Sequence, residues 1–331
     1  MSPAERRRAP LWPALIGVPL AAAAGWIAYS GLAVDHDRDL PPALPGDVLP
    51  LQTGAGRAAL YADGPREGVP LLLIHSVNAA ASAYEVRPLY LHYRATRPVY
   101  ALDLPGFGLS ERPDRVYTPR VMADAVHAAL AAIAERHGGV ASDAIALSLS
   151  CEYLARVAIE RPGSLRSIGL ISPTGFDARL SGAGRAQSDR GHGAALTALS
   201  APLWSRPLFD LVVTRASMRF FLEKTWGGKG IDEGLLDYGH ASAHRPGAQH
   251  APWSFLTGYL FAGDVSRLYR LLCLPVWTVR GMRGDFVDYR FEGEVGGRPN
   301  WMLEAFDTGA FPQFEAPGRV VASYDRFVER L

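Results

Sequence analysis

The sequence predicts an α/β fold: a mostly parallel sheet with helices on both faces, an inserted helical cap, and an N-terminal membrane helix. Three observations carry this. Short apolar runs alternate with helix-like segments over residues 69–174 and again from residue 275. The alternation stops between about 175 and 270, where aromatic, helix-like stretches take over. Ahead of everything lies an uncharged run from Leu11 to Val34.

That run comes first in the chain. It follows Arg6, Arg7 and Arg8 and precedes Asp35, Asp37 and Asp39. As a helix it measures roughly 36 Å at ~1.5 Å per residue, against a hydrocarbon layer of about 30 Å. Trp12, Trp26 and Tyr29 suit interfacial positions, and Pro13 and Pro19 are of a kind membrane helices tolerate. The expectation is a basic tail over 1–10 and a single-pass anchor over 11–34, N-terminus cytoplasmic and body exported. The alternative is a cleaved signal peptide ending near Gly31-Leu32-Ala33, leaving a secreted or periplasmic body. Residues 35–57, with Pro41, Pro42, Pro45 and Pro50, read as a linker.

The body follows element by element. VPLLLIH at 69–75 is a continuous apolar run, the pattern of a buried strand. Residues 82–94 read as a helix and 98–103 as the next strand. Thr118 caps a helix with Pro119 at its first position, and Gly138-Gly139 end it. Residues 144–148 are a strand, 149–161 a helix stopped by Pro162, and 166–171 a strand. The inserted region contributes helices over 196–204 and 207–222. The latter carries Arg206, Asp210, Arg215 and Arg219 within or beside it, too many charges for a second span. Strands at 275–279 and 302–306 and a helix over 317–331 close the chain. The domain reading is a core of 58–174 and 271–331 with a cap of 175–270.

Composition narrows the function. Lys and Arg total 34 against 33 acidic residues, so the chain lacks the basic excess of a nucleic-acid binder. Two cysteines, Cys151 and Cys273, exclude a disulfide scaffold and an all-cysteine metal site. No phosphate loop and no dinucleotide fingerprint occurs, so no cofactor is expected. His240 and His244 are spaced i,i+4, but Gly239 and Pro246 flank them and no H-E-x-x-H is present, so no metal is expected.

The chemistry gathers at strand ends. In Ala146-Leu147-Ser148-Leu149-Ser150 a strand runs into a helix through a serine, and the first helical amides point toward that serine. This segment resembles the nucleophile elbow of the α/β-hydrolase fold family, with both usual glycines replaced. LLLIHS at 71–76 with Val77-Asn78 resembles the family's oxyanion turn. DLPGFGLSERP at 103–113, RPGSLRSIGLISPTG at 161–175, CLPVWTVRGMRGDFVD at 273–288 and GAFPQFEAPGRV at 309–320 are similar to successive family segments, in the family's order. The resemblance implies Ser148 as nucleophile, with Ser150 its rival. It implies an oxyanion hole from the Val77 and Leu149 amides, and Asp285 as triad acid, with Asp288 a nearby alternative.

The family's histidine position holds Ala310, and no histidine follows His250. Alanine has no proton-accepting group, so the usual relay is incomplete. His75, His240, His244 and His250 are the candidate substitute bases. Cap aromatics Trp204, Phe209, Phe220, Phe221, Trp226, Trp253, Phe255 and Phe261 point to apolar material. Two functions stay open: a membrane-anchored hydrolase acting on lipid or acyl esters through Ser148, or a non-hydrolytic pseudoenzyme binding an apolar ligand or a protein partner. The expected partners are membrane lipid or a small apolar ligand, with a membrane protein as a further possibility.

Overall fold

The computed structural model describes residues 12–176, 188–285 and 287–331. The basic tail 1–10 and the stretch 177–187 of the expected cap lie outside the described residues. Helix α1 (Trp12–Ala33) precedes a hairpin of β1 (Asp47–Thr53) and β2 (Gly56–Asp63). Then β3 (Leu71–Ile74), a 3₁₀ turn (Ala83–Val86), α2 (Arg87–Tyr93), β4 (Val99–Asp103), α3 (Pro119–Arg136), β5 (Ser142–Leu147), α4 (Ser150–Glu160) and β6 (Leu165–Ile171) alternate. The inserted region holds α5 (Gly193–Leu199), α6 (Ser205–Val212), α7 (Arg215–Trp226), α8 (Glu233–Ala243), α9 (His250–Leu256) and α10 (Val265–Leu271). The chain closes with β7 (Val276–Gly281), α11 (Gly293–Gly296), β8 (Trp301–Phe306), α12 (Pro312–Glu315) and α13 (Pro317–Val328).

The strands form one sheet in the order β1-β2-β4-β3-β5-β6-β7-β8. Strands β3 to β8 are parallel, whereas β2 is antiparallel to both β1 and β4. The sheet is therefore mixed, a correction to the mostly parallel expectation. A tight hairpin turn between Thr53 and Gly56 permits only antiparallel pairing. Strand β1 lies inside the proline-rich stretch read as linker. Its Pro50 is tolerated because β1 is an edge strand and loses no central ladder bond.

Side chains alternate across the sheet, and that alternation builds two cores. Leu72, Ile74, Ala144 and Ala146 join α3 and α4 on one face. Leu71, Leu73, Ile145 and Leu147 join α2, α13 and cap residues such as Phe209 and Trp253 on the other. The start of α3 is as expected: Thr118 Oγ1 accepts from Val121 N at 3.4 Å, with Pro119 next.

Among the described residues no helix is long and apolar enough to cross a membrane. This corrects the anchor read over 11–34, and with it the membrane-anchored function and the single-pass topology with an exported body. The reason is visible in the second half of α1, which docks on α6. Trp26 Nε1 donates to Pro207 O at 2.7 Å, and Ser30 Oγ donates to Asp210 Oδ2 at 2.6 Å. Just beyond α1, His36 Nε2 stands 2.9 Å from the same oxygen. Arg206 Nε completes an ion pair with Asp210 Oδ1 at 3.0 Å, at an angle too poor for a hydrogen bond. The helix is built to meet a buried carboxylate on protein.

Candidate functional site

Strand β5 ends at Leu147, and α4 begins at Ser150; Ser148 and Leu149 make the turn between them. Ser148 has φ +52°, a left-handed backbone that a non-glycine residue adopts at a cost. Its N–H donates to Ile171 O at 2.8 Å, and its carbonyl accepts from Cys151 N at 3.1 Å. The side chain remains partly open, and among the described residues no group hydrogen-bonds its hydroxyl. Ser150, the rival, is fully buried and spends its hydroxyl on His75 O at 2.5 Å. That bond also staples the elbow to the turn that follows β3.

A second strained serine stands alongside. Leu147 and Ile171 are register partners, so Ser172, with φ +46°, sits at the neighbouring strand end. Its buried hydroxyl lacks a hydrogen bond of good geometry and interacts with the Tyr289 hydroxyl. Thr174 follows, bonding Glu152 through its hydroxyl. Glu152 also accepts from Ala262 N at 2.8 Å, tying α4 to the cap side.

The turn after β3 carries the other expected donor. Among the described residues neither the Val77 nor the Leu149 N–H has an acceptor, although both residues are buried. The residues flanking Val77 are held by one carboxylate. Glu85 Oε2 accepts from Ser76 N at 2.7 Å, and Glu85 Oε1 accepts from Asn78 Nδ2 at 2.7 Å. Asn78 also donates to Ser76 Oγ at 3.1 Å and accepts from Ala80 N at 2.8 Å. Burial pushes the Glu85 carboxyl up to about 7; the bonds from Ser76 and Asn78 pull the other way, and the Asp103 charge adds to the rise.

Asp285 and Ala310, expected from the sequence as acid and base positions, both meet the end of α7. Asp285 is exposed and pairs with Lys224 of α7, Nζ to Oδ2 at 2.9 Å. Its N–H donates to Lys224 O at 3.2 Å. Asp288 pairs with Arg290 at 2.8 Å. Ala310 N donates to Thr225 O at 2.9 Å, so the end of α7 covers the Ala310 backbone. The loop beneath is firmly built: Glu315 accepts from Gly309 N and pairs with Arg283, both at 2.6 Å.

None of the four candidate histidines hydrogen-bonds Ser148. His75 is buried with both nitrogens committed: Nδ1 to Ser76 O at 2.5 Å, and Nε2 accepting from Leu104 N at 3.0 Å. Burial lowers it to about 4, which keeps it neutral. The rings of His240 on α8 and His244 just past its end are 4.3 Å apart and tilted by 40°, and His36 stacks on His244 at 6.4 Å. Burial lowers His240 to about 4, helped by the neighbouring His244, and burial lowers His244 too. His250 faces Asp114, Nδ1 to Oδ1 at 3.3 Å, and burial lowers it against that charge. Among the described residues no group of three His, Cys, Asp or Glu side chains could hold a metal ion. Burial pushes the Cys151 thiol well up, so it stays protonated behind the elbow.

Sequence reading missed Glu85, Ser172, Glu152 and Thr174. The Ser172 strand end was legible in ISPTG by analogy with Ser148. Glu85 had no local signal, because its burial depends on α12: Gln313 Nε2 donates to Glu85 O at 3.0 Å from 228 residues away. The cap aromatics divide. Phe209, Trp226 and Trp253 are buried core, while Trp204, Phe220 and Phe221 are exposed.

No protein family's sequence profile matches the chain, and no curated protein sequence does. Solved structures do. A serine hydrolase of carbazole degradation, CarC, superposes with TM-score 0.65 at 15% identity, covering 87% of this chain and 100% of that one. A probable hydrolytic enzyme of Pseudomonas aeruginosa gives 0.65 at 20% identity, covering 88% and 96%. A bacterial membrane phospholipase A gives 0.63 at 21% identity, covering 96% and 95%. At these identities the likeness is one of fold: this chain has the α/β-hydrolase fold, with a helical cap insertion.

Proposed function

We propose that this α/β-hydrolase-fold protein binds an apolar ligand bearing a carbonyl-type head at Ser148, and that it lacks a working serine relay because Ala310 takes the place of the base. The observation that carries this is the combination at the elbow. The strained, partly open Ser148 adjoins the Leu149 amide, Ser150 ties its turn to the turn carrying the Val77 amide, neither amide has an acceptor among the described residues, and no imidazole is bonded to the Ser148 hydroxyl. Apolar character is supported by the surroundings. Val77, Leu104, Phe107, Leu149, Ala251 and Leu260 share one buried cluster that joins core to cap. The solved relatives named as hydrolases and a phospholipase support the choice of an acyl-like head. The oxyanion donors then serve as a binding group for a carbonyl oxygen, and the ligand leaves unchanged.

The test is fluorophosphonate labelling of the pure protein beside its Ser148→Ala and Ala310→His variants. Loss of general-base assistance is worth about 10²–10⁴-fold. Labelling of the unaltered protein should therefore be slower by that order than in Ala310→His. Fast labelling of the unaltered protein that Ser148→Ala abolishes would overturn the proposal and restore a hydrolase with an unrecognised base.

A further inference from the structure

We infer that Glu85 is the positioning residue of the Val77 amide, its ionisation setting or releasing the turn that presents that donor. The inference rests on the ligand seat proposed above and names its regulation. The geometry is a bracket. Val77 lies between Ser76 and Asn78, and the two oxygens of one carboxylate grip those neighbours, each at 2.7 Å. The backbone N–H of Ser76 and the side-chain amide of Asn78 are donors only, and the Ser76 hydroxyl also meets the carboxylate. An ionised carboxylate accepts from all three. A protonated one turns one oxygen into a donor, which the Ser76 hydroxyl can meet only by turning from its present donor role, so the bracket must rearrange. Glu85 is 2% exposed, and no water can stand in for the lost partner as it would at a surface.

Glu85 is the carboxyl in direct contact with the Ser76–Asn78 turn. From the end of β3, His75 is held neutral by burial and donates to Ser76 O. From the end of β4, the Asp103 carboxylate adds negative charge; burial raises its own carboxyl too, against the bonds it accepts from Ala83 N at 2.7 Å, Leu109 N at 2.8 Å and Tyr61 OH at 3.1 Å. From α12, Gln313 presents an uncharged amide to the Glu85 carbonyl. Next along its own chain, Arg87 is turned away to Ala43 O at 3.0 Å. Among the described residues no cation is bonded to Glu85, so burial prevails and its carboxyl rises to about 7. Above that pH the Val77 donor is set; below it, the turn slackens.

The experiment reads the donor directly. Protein labelled with ¹⁵N-valine is titrated from pH 5 to 9, with the Val77 resonance assigned by substitution. The Val77 amide should shift with a midpoint within about one unit of 7, and Glu85→Gln should flatten that titration. Because Glu85→Gln can disturb a buried site, infrared difference spectra of the unaltered protein provide a second reading. The carboxylic-acid carbonyl band should grow with the same midpoint as pH falls. A Val77 resonance that does not titrate, or one that titrates unchanged in Glu85→Gln, overturns the inference. Decanamide, an uncharged apolar carbonyl probe, tests the seat separately. Its affinity should fall about five-fold from pH 8 to pH 6, the size of one misaligned hydrogen bond. Titration of Val77 without any decanamide binding would refute the ligand seat and leave the Glu85 bracket standing.

Discussion

Ser148 and Ser172 hold the same unfavourable backbone at adjacent strand ends, at φ +52° and +46°. Such conformations cost on the order of 1–3 kcal/mol each and persist where the surrounding structure imposes them. Glycine adopts them freely. Ser148→Gly should therefore stabilise the fold by roughly 1 kcal/mol, seen as a raised Tm, while Ser148→Ala should not. A loss of Tm in Ser148→Gly would mean the hydroxyl, not the backbone, holds the turn. The elbow was legible in the sequence because strand, turn and helix are contiguous and small residues flank Ser148. The partners of Asp285 and Glu85 were not legible. Lys224 and Gln313 come from distant segments, and only the folded chain brings them in.

Helix α1 shows how an element can mislead. Its sequence is apolar enough to suggest lipid, but its polar residues Trp26 and Ser30 are spaced to meet Pro207 and Asp210 on one line. Hydropathy averages over that line, and so hides it. Asp210 is 3% exposed and gathers Ser30, His36 and Arg206. Removing one member of a buried pair leaves the other uncompensated, typically at about 3–5 kcal/mol. Asp210→Ala should lower the Tm accordingly and expose the α1–α6 boundary to limited proteolysis first. An unchanged cleavage pattern would show that α1 is held elsewhere. The hairpin of β1 and β2 was missed for the opposite reason. Proline and aspartate mark a linker on composition alone, yet an edge strand tolerates both.

At the scale of the molecule, the cap is sewn into the core at the loops of Asp285 and Ala310. The last carbonyls of α7, Lys224 O and Thr225 O, accept from Asp285 N and Ala310 N. Gly309 passes so close to Thr225 and Trp226 that any side chain there would collide with their backbone. The α/β alternation announced both core and insertion, because each half of the sheet is local in sequence. The stitching was invisible, since its partners are 61 and 85 residues apart.

Those two stitches also decide how the protein breathes. A hinged lid swings without breaking bonds at its tip, but lifting α7 would strand the amides of Asp285 and Ala310 at once. Separation of cap from core then resembles partial melting more than hinge motion, and its frequency is written in proton exchange. The amide protons of Asp285 and Ala310 should exchange with solvent at one shared rate, matched to the interior amides of α7. Independent rates would show that the two loops open on their own.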